Sequence, residues 1–206
     1  MKKLLLTAFE PFNGETINPS LETALAIGKI KFLDTQLEIL KLPVARFEAV
    51  EIALRNLREK KPEFVIMLGE AGGRYRVTPE RVAINVDDYR IPDNSGFQPT
   101  GEPIVEDGPV GYFSSLPIYA IAEQLTRMNI PSAISNSAGT YLCNRLFYGV
   151  MNFIARENLR TKAGFIHLPY LHEQTVNKRA DTPSMSPETL VNAVKIAVET
   201  TTSLKS

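Results

Sequence analysis

A chain of 206 residues, 44% hydrophobic and 22% charged, suits one domain, residues 1–206, with a substantial core. Its 23 lysines and arginines balance 23 aspartates and glutamates, so the positive excess of a protein that grips nucleic-acid phosphates is missing. No run of ~18 apolar residues is available to span a membrane, and a single cysteine cannot close an internal disulfide.

The elements alternate along the chain. Leu4–Ala8 reads as a buried first strand, because Glu10 and Pro11 break the apolar run too early for a signal peptide. The lack of such a peptide and of a disulfide framework points to a reducing cytoplasm. Asn18 and Pro19 fit the cap and first turn of a helix reaching about Lys29. Gln36–Leu42 alternates as a strand. Arg46–Lys61 carries Phe47, Val50, Ala53, Leu54 and Leu57 at helical spacing, and its end, Arg58-Glu59-Lys60-Lys61, is a solvated mixture of charges. Phe64–Gly69 is continuously apolar, as a central parallel strand should be.

Glu70–Pro109 is rich in glycine, proline, asparagine and aspartate, with one short strand expected over Arg81–Val86. Irregular stretches of that length in a compact domain are commonly functional, and this one reads as an excursion that walls a site. Regularity returns with a helix over Ile118–Met128, a strand over Ser132–Ser135 and a helix over Tyr141–Ala155. A strand over Lys162–Leu168 follows. Thr182–Ser186 reads as a flexible approach, including Ser184, to a last helix over Pro187–Thr200 capped by Ser186. The order predicts a three-layer α/β/α sandwich around a largely parallel sheet.

Cysteine and histidine are scarce, so the candidate chemistry is finite: Cys143, His167 and His172. Cys143 follows a turn of small residues and falls in the first turn of a helix, where free N–H groups and the helix dipole favour a thiolate and could hold an oxyanion. A buried free cysteine is also an ordinary small apolar core residue, and position alone leaves both readings open. His167 falls at the C-terminal end of a strand, where open α/β sheets place their sites; a hydrogen-bonded structural histidine fits as well. His172, beyond Pro169, reads as a surface residue. Glu80 borders an apolar strand and could orient a histidine or be a strand-end charge. Ala71-Gly72-Gly73-Arg74 lacks the full dinucleotide fingerprint and a P-loop lysine, so it reads as a tight turn. His167, His172 and Glu173 match no metal-site spacing, with Pro169 between the histidines.

These same residues carry a resemblance over essentially the whole chain. Thr7–Phe12, Gly69–Arg74, Pro79–Asn85, Arg90–Asn94, Asp107–Pro109, Tyr112–Ile118, Ser137–Asn144 and Gly164–Tyr170 together resemble the pyroglutamyl peptidase I family, also called pyrrolidone-carboxylate peptidases. The resemblance implies an α/β sandwich and a cysteine peptidase that removes an N-terminal pyroglutamyl residue from peptides. It also implies that no cofactor or metal is used, and that the enzyme is commonly a homotetramer. By it, Cys143 matches the nucleophile, His167 the base and Glu80 the acidic partner. Phe9 and Phe12 match the lactam pocket, with Leu142 and Glu70 assigned to substrate binding beside them. Arg90 matches an arginine of the oxyanion region. One departure stands out: Glu70 occupies a position where many members carry glutamine, and an ionised carboxylate accepts hydrogen bonds but donates none. The competing readings are a silent binding protein on the same scaffold and, more remotely, a metal-dependent hydrolase.

Overall fold

The computed structural model describes residues 1–203. Its main sheet contains β1 (Lys2–Phe9), β2 (Thr35–Leu42), β3 (Phe64–Glu70), β4 (Thr78–Pro79) and β7 (Lys162–Leu168), in the order β2-β1-β3-β7-β4. β2, β1, β3 and β7 run parallel, and only the short edge strand β4 is antiparallel.

The apolar strands are buried on both faces, and the two-residue period divides their side chains between two cores. Leu4, Leu6 and Ala8 of β1, with Phe64, Ile66 and Leu68 of β3, face α1 (Pro19–Ile27), α3 (Ile118–Arg127) and α6 (Pro187–Thr202). Leu5 and Phe9, with Val65, Met67, Ala163 and Phe165, face α2 (Glu48–Lys60) and α4 (Leu142–Arg156). The result is the expected α/β/α layering. None of the described helices is long and apolar enough to cross a membrane.

Local chemistry explains the helix starts. The Asn18 side chain accepts from the Ser20 N–H at 2.9 Å with Pro19 in the first turn, and Ser186 accepts from the Thr189 N–H at 3.2 Å. Such caps satisfy N–H groups that no helical carbonyl can reach.

Three expectations need correction. Ser132–Ser135 is not a separate strand; it lies parallel along the Val77–Arg81 segment that contains β4, through bridges of Val77 with Ser132 and Glu80 with Ser135 and the Ala133 and Ser135 N–H groups donating to the Val77 and Pro79 carbonyls. The strand predicted over Arg81–Val86 is shorter, β5 (Val82–Ile84), and pairs antiparallel with β6 (Gly111–Phe113) outside the main sheet. Asn144 holds the other edge of β5: its side chain accepts from the Ile84 N–H at 2.9 Å and donates to the Ile84 and Val86 carbonyls at 2.9 and 3.0 Å. Ser184 is not in a featureless approach: with Met185 it forms β9, paired with β8 (Tyr170–Leu171) on either side of the short α5 (His172–Thr175).

The long excursion is tied down by charge. Asp87 is fully buried and accepts from Arg46 Nε at 2.9 Å and from Arg145 Nη1. Arg145 Nε in turn donates to the Arg46 carbonyl at 2.5 Å. This network, together with Asn144, fastens residues 82–102 to α4, one position after Cys143.

Candidate active site

Strand register assembles the site. Gly69 of β3 is the Cα partner of His167 on β7, so both residues direct their side-chain bonds to the α4 face, as does Phe9 at the end of β1. Gly69 is where Cys143 fits: a Cβ there would stand 2.7 Å from Cys143 Sγ and 2.7 Å from Phe165 Cζ. The thiol therefore occupies the space a side chain on β3 would take, on the strand next to His167, and both residues line one cleft. All these positions lie at the carboxyl ends of the strands, near the point where the connections from β1 and β3 diverge to opposite sides of the sheet.

Cys143 is the second residue of α4 and is partly buried. No side chain caps this helix, so its first N–H groups face the cleft, and the Cys143 N–H itself favours the thiolate. The surroundings of the thiol oppose that ionisation. Burial pushes the thiol well above its ordinary range, the carboxylates of Glu80 and Glu70 push it further, and Arg74 opposes them. Desolvation and two negative charges outweigh a helix terminus.

His167 is buried, with Nδ1 2.7 Å from Oε1 of Glu80. Glu80 has no exposed surface. Burial works to raise its pKa; the hydrogen bond and charge of His167, the Ser135 hydroxyl and Arg74 more than offset this and hold it below the ordinary carboxylate range. An ionised carboxylate only accepts, so Nδ1 carries a hydrogen and Nε2 is left to exchange a proton in the cleft. Glu80 reaches this place because β4 pairs antiparallel with β7, after which the Glu80 N–H donates to the Phe165 carbonyl at 2.8 Å.

The cleft encloses about 560 Å³, within the range of small-molecule sites. Its apolar wall is formed by Phe9, Phe12, Val44, Ile91, Tyr141 and Leu142. Phe9 and Leu142 are buried, whereas Phe12 is half-exposed and leans on Tyr141 with ring centroids 6.0 Å apart. Arg90 also lines the cleft; its guanidinium is exposed and has no hydrogen-bond or ion-pair partner among the described residues. Glu70 closes the opposite side and accepts from Gln174 Nε2 at 2.8 Å. Burial raises its carboxyl to about 7; Glu15 adds to the rise, while Gln174 and Lys178 reduce it.

The structure thus brings together Cys143, His167, Glu80, Phe9, Phe12, Leu142, Glu70 and Arg90. His172 lies apart, exposed at the start of α5, with Nδ1 2.8 Å from the Ser184 hydroxyl. Among the described residues, no three His, Cys, Asp or Glu side chains are grouped as metal ligands. Sequence reasoning missed Arg74, Gln174 and the Lys178–Glu15 ion pair of 2.5 Å at the rim. Only the Gly-Gly-Arg turn could have signalled Arg74. Gln174 and Lys178 come from the stretch around α5, whose sequence pattern carries no comparable signal.

The model of the pyroglutamyl peptidase family matches residues 2–204. A pyrrolidone-carboxylate peptidase of Brevibacillus brevis is 47% identical over 203 residues, covering 98% of this chain and 94% of that protein. Pyrrolidone-carboxylate peptidase 1 of Caldanaerobacter subterraneus is also 47% identical, covering 96% of each. Among solved structures, pyroglutamyl peptidase I of Bacillus amyloliquefaciens superposes with a TM-score of 0.95 at 41% identity, covering 98% of this chain and 96% of the other. The pyrrolidone carboxyl peptidase of Thermococcus litoralis gives 0.94 at 42%, covering 98% and 94%. The chain belongs to the pyroglutamyl peptidase family of cysteine hydrolases.

Proposed function

We propose that this chain hydrolyses the amide bond after an N-terminal pyroglutamyl residue through a Cys143–His167–Glu80 triad and a thioester. The reading rests on one observation above all: a thiol and a carboxylate-bound imidazole share one end of a cleft with an apolar wall.

The substrate end is a neutral lactam, so no carboxylate is required to bind an ammonium, and Phe9, Phe12 and Leu142 supply a fitting apolar surface. The Cys143 sulfur attacks the carbonyl carbon, its proton passing to His167 Nε2. The C–S bond forms and the carbonyl becomes an oxyanion, held by the first N–H groups of α4 and by the unpaired guanidinium of Arg90. As the oxyanion collapses, the C–N bond breaks and His167 gives its proton to the leaving amine. A water molecule then attacks the thioester, yielding its proton to His167, and the C–S bond breaks to release pyroglutamate and restore the thiol. Glu80 stays ionised and stabilises the imidazolium in both halves. A cytoplasmic location and a homotetramer belong to the same reading; sedimentation tests the second.

The deciding experiment is release of a fluorophore from a pyroglutamyl amide. Wild type should turn over and folded Cys143→Ala should not. Hydrolysis retained by the variant refutes the triad, and a folded but inactive wild type favours a binding protein on this scaffold.

A further inference from the structure

The two short hydrogen bonds of the Glu80 carboxylate fall on one oxygen. Oε1 receives Arg74 Nη1 at 2.6 Å and His167 Nδ1 at 2.7 Å, while Oε2 is buried without a hydrogen-bond partner. Arg74 also donates to the Thr78 hydroxyl at 2.6 Å and to the Ser137 carbonyl at 3.2 Å. One guanidinium therefore joins the carboxylate, the edge strand that carries it and the turn leading to Cys143. Its own backbone is held by a turn with the Arg74 N–H donating to the Ala71 carbonyl at 3.1 Å. Gly72 fits against Tyr170, where a Cβ would come within 2.1 Å of the ring, and Gly73 has φ of +86°. The Gly-Gly-Arg turn thus aims one arginine at the back of the site.

We propose that Arg74 is a positioning residue for this reaction, keeping Glu80 ionised and fixed against His167 and offsetting negative charge at Cys143. The proposal rests on the triad reading above. A carboxylate with no exposed surface tends to take up a proton; His167, the Ser135 hydroxyl and Arg74 oppose this, and Arg74 is the one permanent cation among them. The neutral acid would donate to Nδ1, the ring hydrogen would move to Nε2, and the base facing the thiol would be lost. A guanidinium prevents this, because it remains charged and only donates. Around the thiol the other charged or titratable groups are Glu70, Glu80, His167, Tyr141, Arg90 and Asp88, with the Glu15–Lys178 pair at the rim.

The test uses full-length Arg74→Ala, Arg74→Lys and Arg74→Gln, with kcat and KM measured across pH, with and without millimolar methylguanidinium. The Arg74 side chain is 34% exposed, so a small guanidinium can enter the space left by Arg74→Ala. The expected result for Arg74→Ala is a loss of about 100-fold, mostly in kcat, a scale typical of misplaced acid–base catalysis. The acid limb of its rate profile should move to higher pH. Methylguanidinium should restore a large part of the activity in that variant and leave wild type unchanged. Arg74→Lys should lie between wild type and Arg74→Gln. A folded Arg74→Ala with near-normal kcat overturns the proposal, as does a loss of activity with an unmoved acid limb and no rescue. Cys143→Ala, assayed alongside, separates the two failures: hydrolysis by that variant refutes the triad itself.

Discussion

Replacing Glu70 by glutamine isolates one titrating charge. The amide oxygen of glutamine can accept the same hydrogen bond from Gln174, so packing is kept and only ionisation is removed. In the folded chain burial raises the Glu70 carboxyl from an ordinary 4.5 to about 7. Between those values the folded state binds more protons than the unfolded one, so this group makes stability fall as pH rises through the window. Above pH 7 the full penalty is present, with an upper bound of about 3 kcal/mol at 1.36 kcal/mol per unit. Glu70→Gln should therefore melt close to wild type at pH 5 and clearly above it at pH 8. Ligand binding adds a second effect. A neutral lactam that seals the cleft strips water from Glu70, which costs more for the anion than for the acid. If only the neutral acid admits the lactam, affinity should weaken about tenfold between pH 6 and pH 8, following one titration near 7. The inhibition constant of 2-pyrrolidone reads this without involving sulfur chemistry. Wild type should show the slope and Glu70→Gln should be flat. An equal slope in both proteins, with melting curves that keep the same separation at pH 5 and pH 8, would refute the argument.

Three other substitutions probe separate parts of the site. Gly69→Ala places a methyl 2.7 Å from both Cys143 Sγ and Phe165 Cζ; displacing the sulfur should lower kcat by roughly 100-fold while the fold persists, as read by steady-state kinetics and circular dichroism. Phe9→Ala removes an apolar wall residue of the cleft and should raise KM for pyroglutamyl amides more than it alters kcat; an unchanged KM removes Phe9 from the pocket. Asp87→Ala leaves Arg46 and Arg145 without their shared carboxylate and should cost about 3–5 kcal/mol in urea unfolding; a loss below about 1 kcal/mol would mean the excursion is held by its backbone bonds and Asn144 instead.

The layers of this fold are legible because apolar period and helix caps are local signals. Asn18-Pro19 and Ser186-Pro187 start their helices where the caps predict, and the continuous run Phe64–Gly69 lies in the middle of the parallel sheet. What failed was pairing. Ser132–Ser135 has a strand-like composition, yet among the described residues it pairs only with the short edge segment around β4, through isolated bridges. The Arg81–Val86 run keeps only three strand residues, and its free edge is paired by Asn144, sixty residues away from Ile84. Neither outcome is encoded within a window of a few residues; each depends on which distant backbone arrives alongside.

The thiol illustrates the same division at the level of chemistry. A cysteine after a turn of small residues and before an apolar helix has a readable position, and Cys143 does occupy the first turn of α4. Its proton affinity has no such local origin. It follows from burial against β3, from Glu80 delivered by an edge strand and from Glu70 at the end of β3, with Arg74 as the opposing charge. Two of those groups flank the same Gly-Gly turn, and they act on the thiol with opposite sign. A substitution at either position should therefore move the thiol in a predictable direction: Glu70→Gln towards easier ionisation, Arg74→Ala towards harder. The double variant, compared with each single one in a thiol-alkylation pH profile, gives the coupling between them. Shifts that simply add would mean the two charges act on sulfur independently. A non-additive result would place both in one network with Glu80, and it would explain why the tight turn between them carries two glycines: they let the chain reverse within three residues and bring both charges to one sulfur.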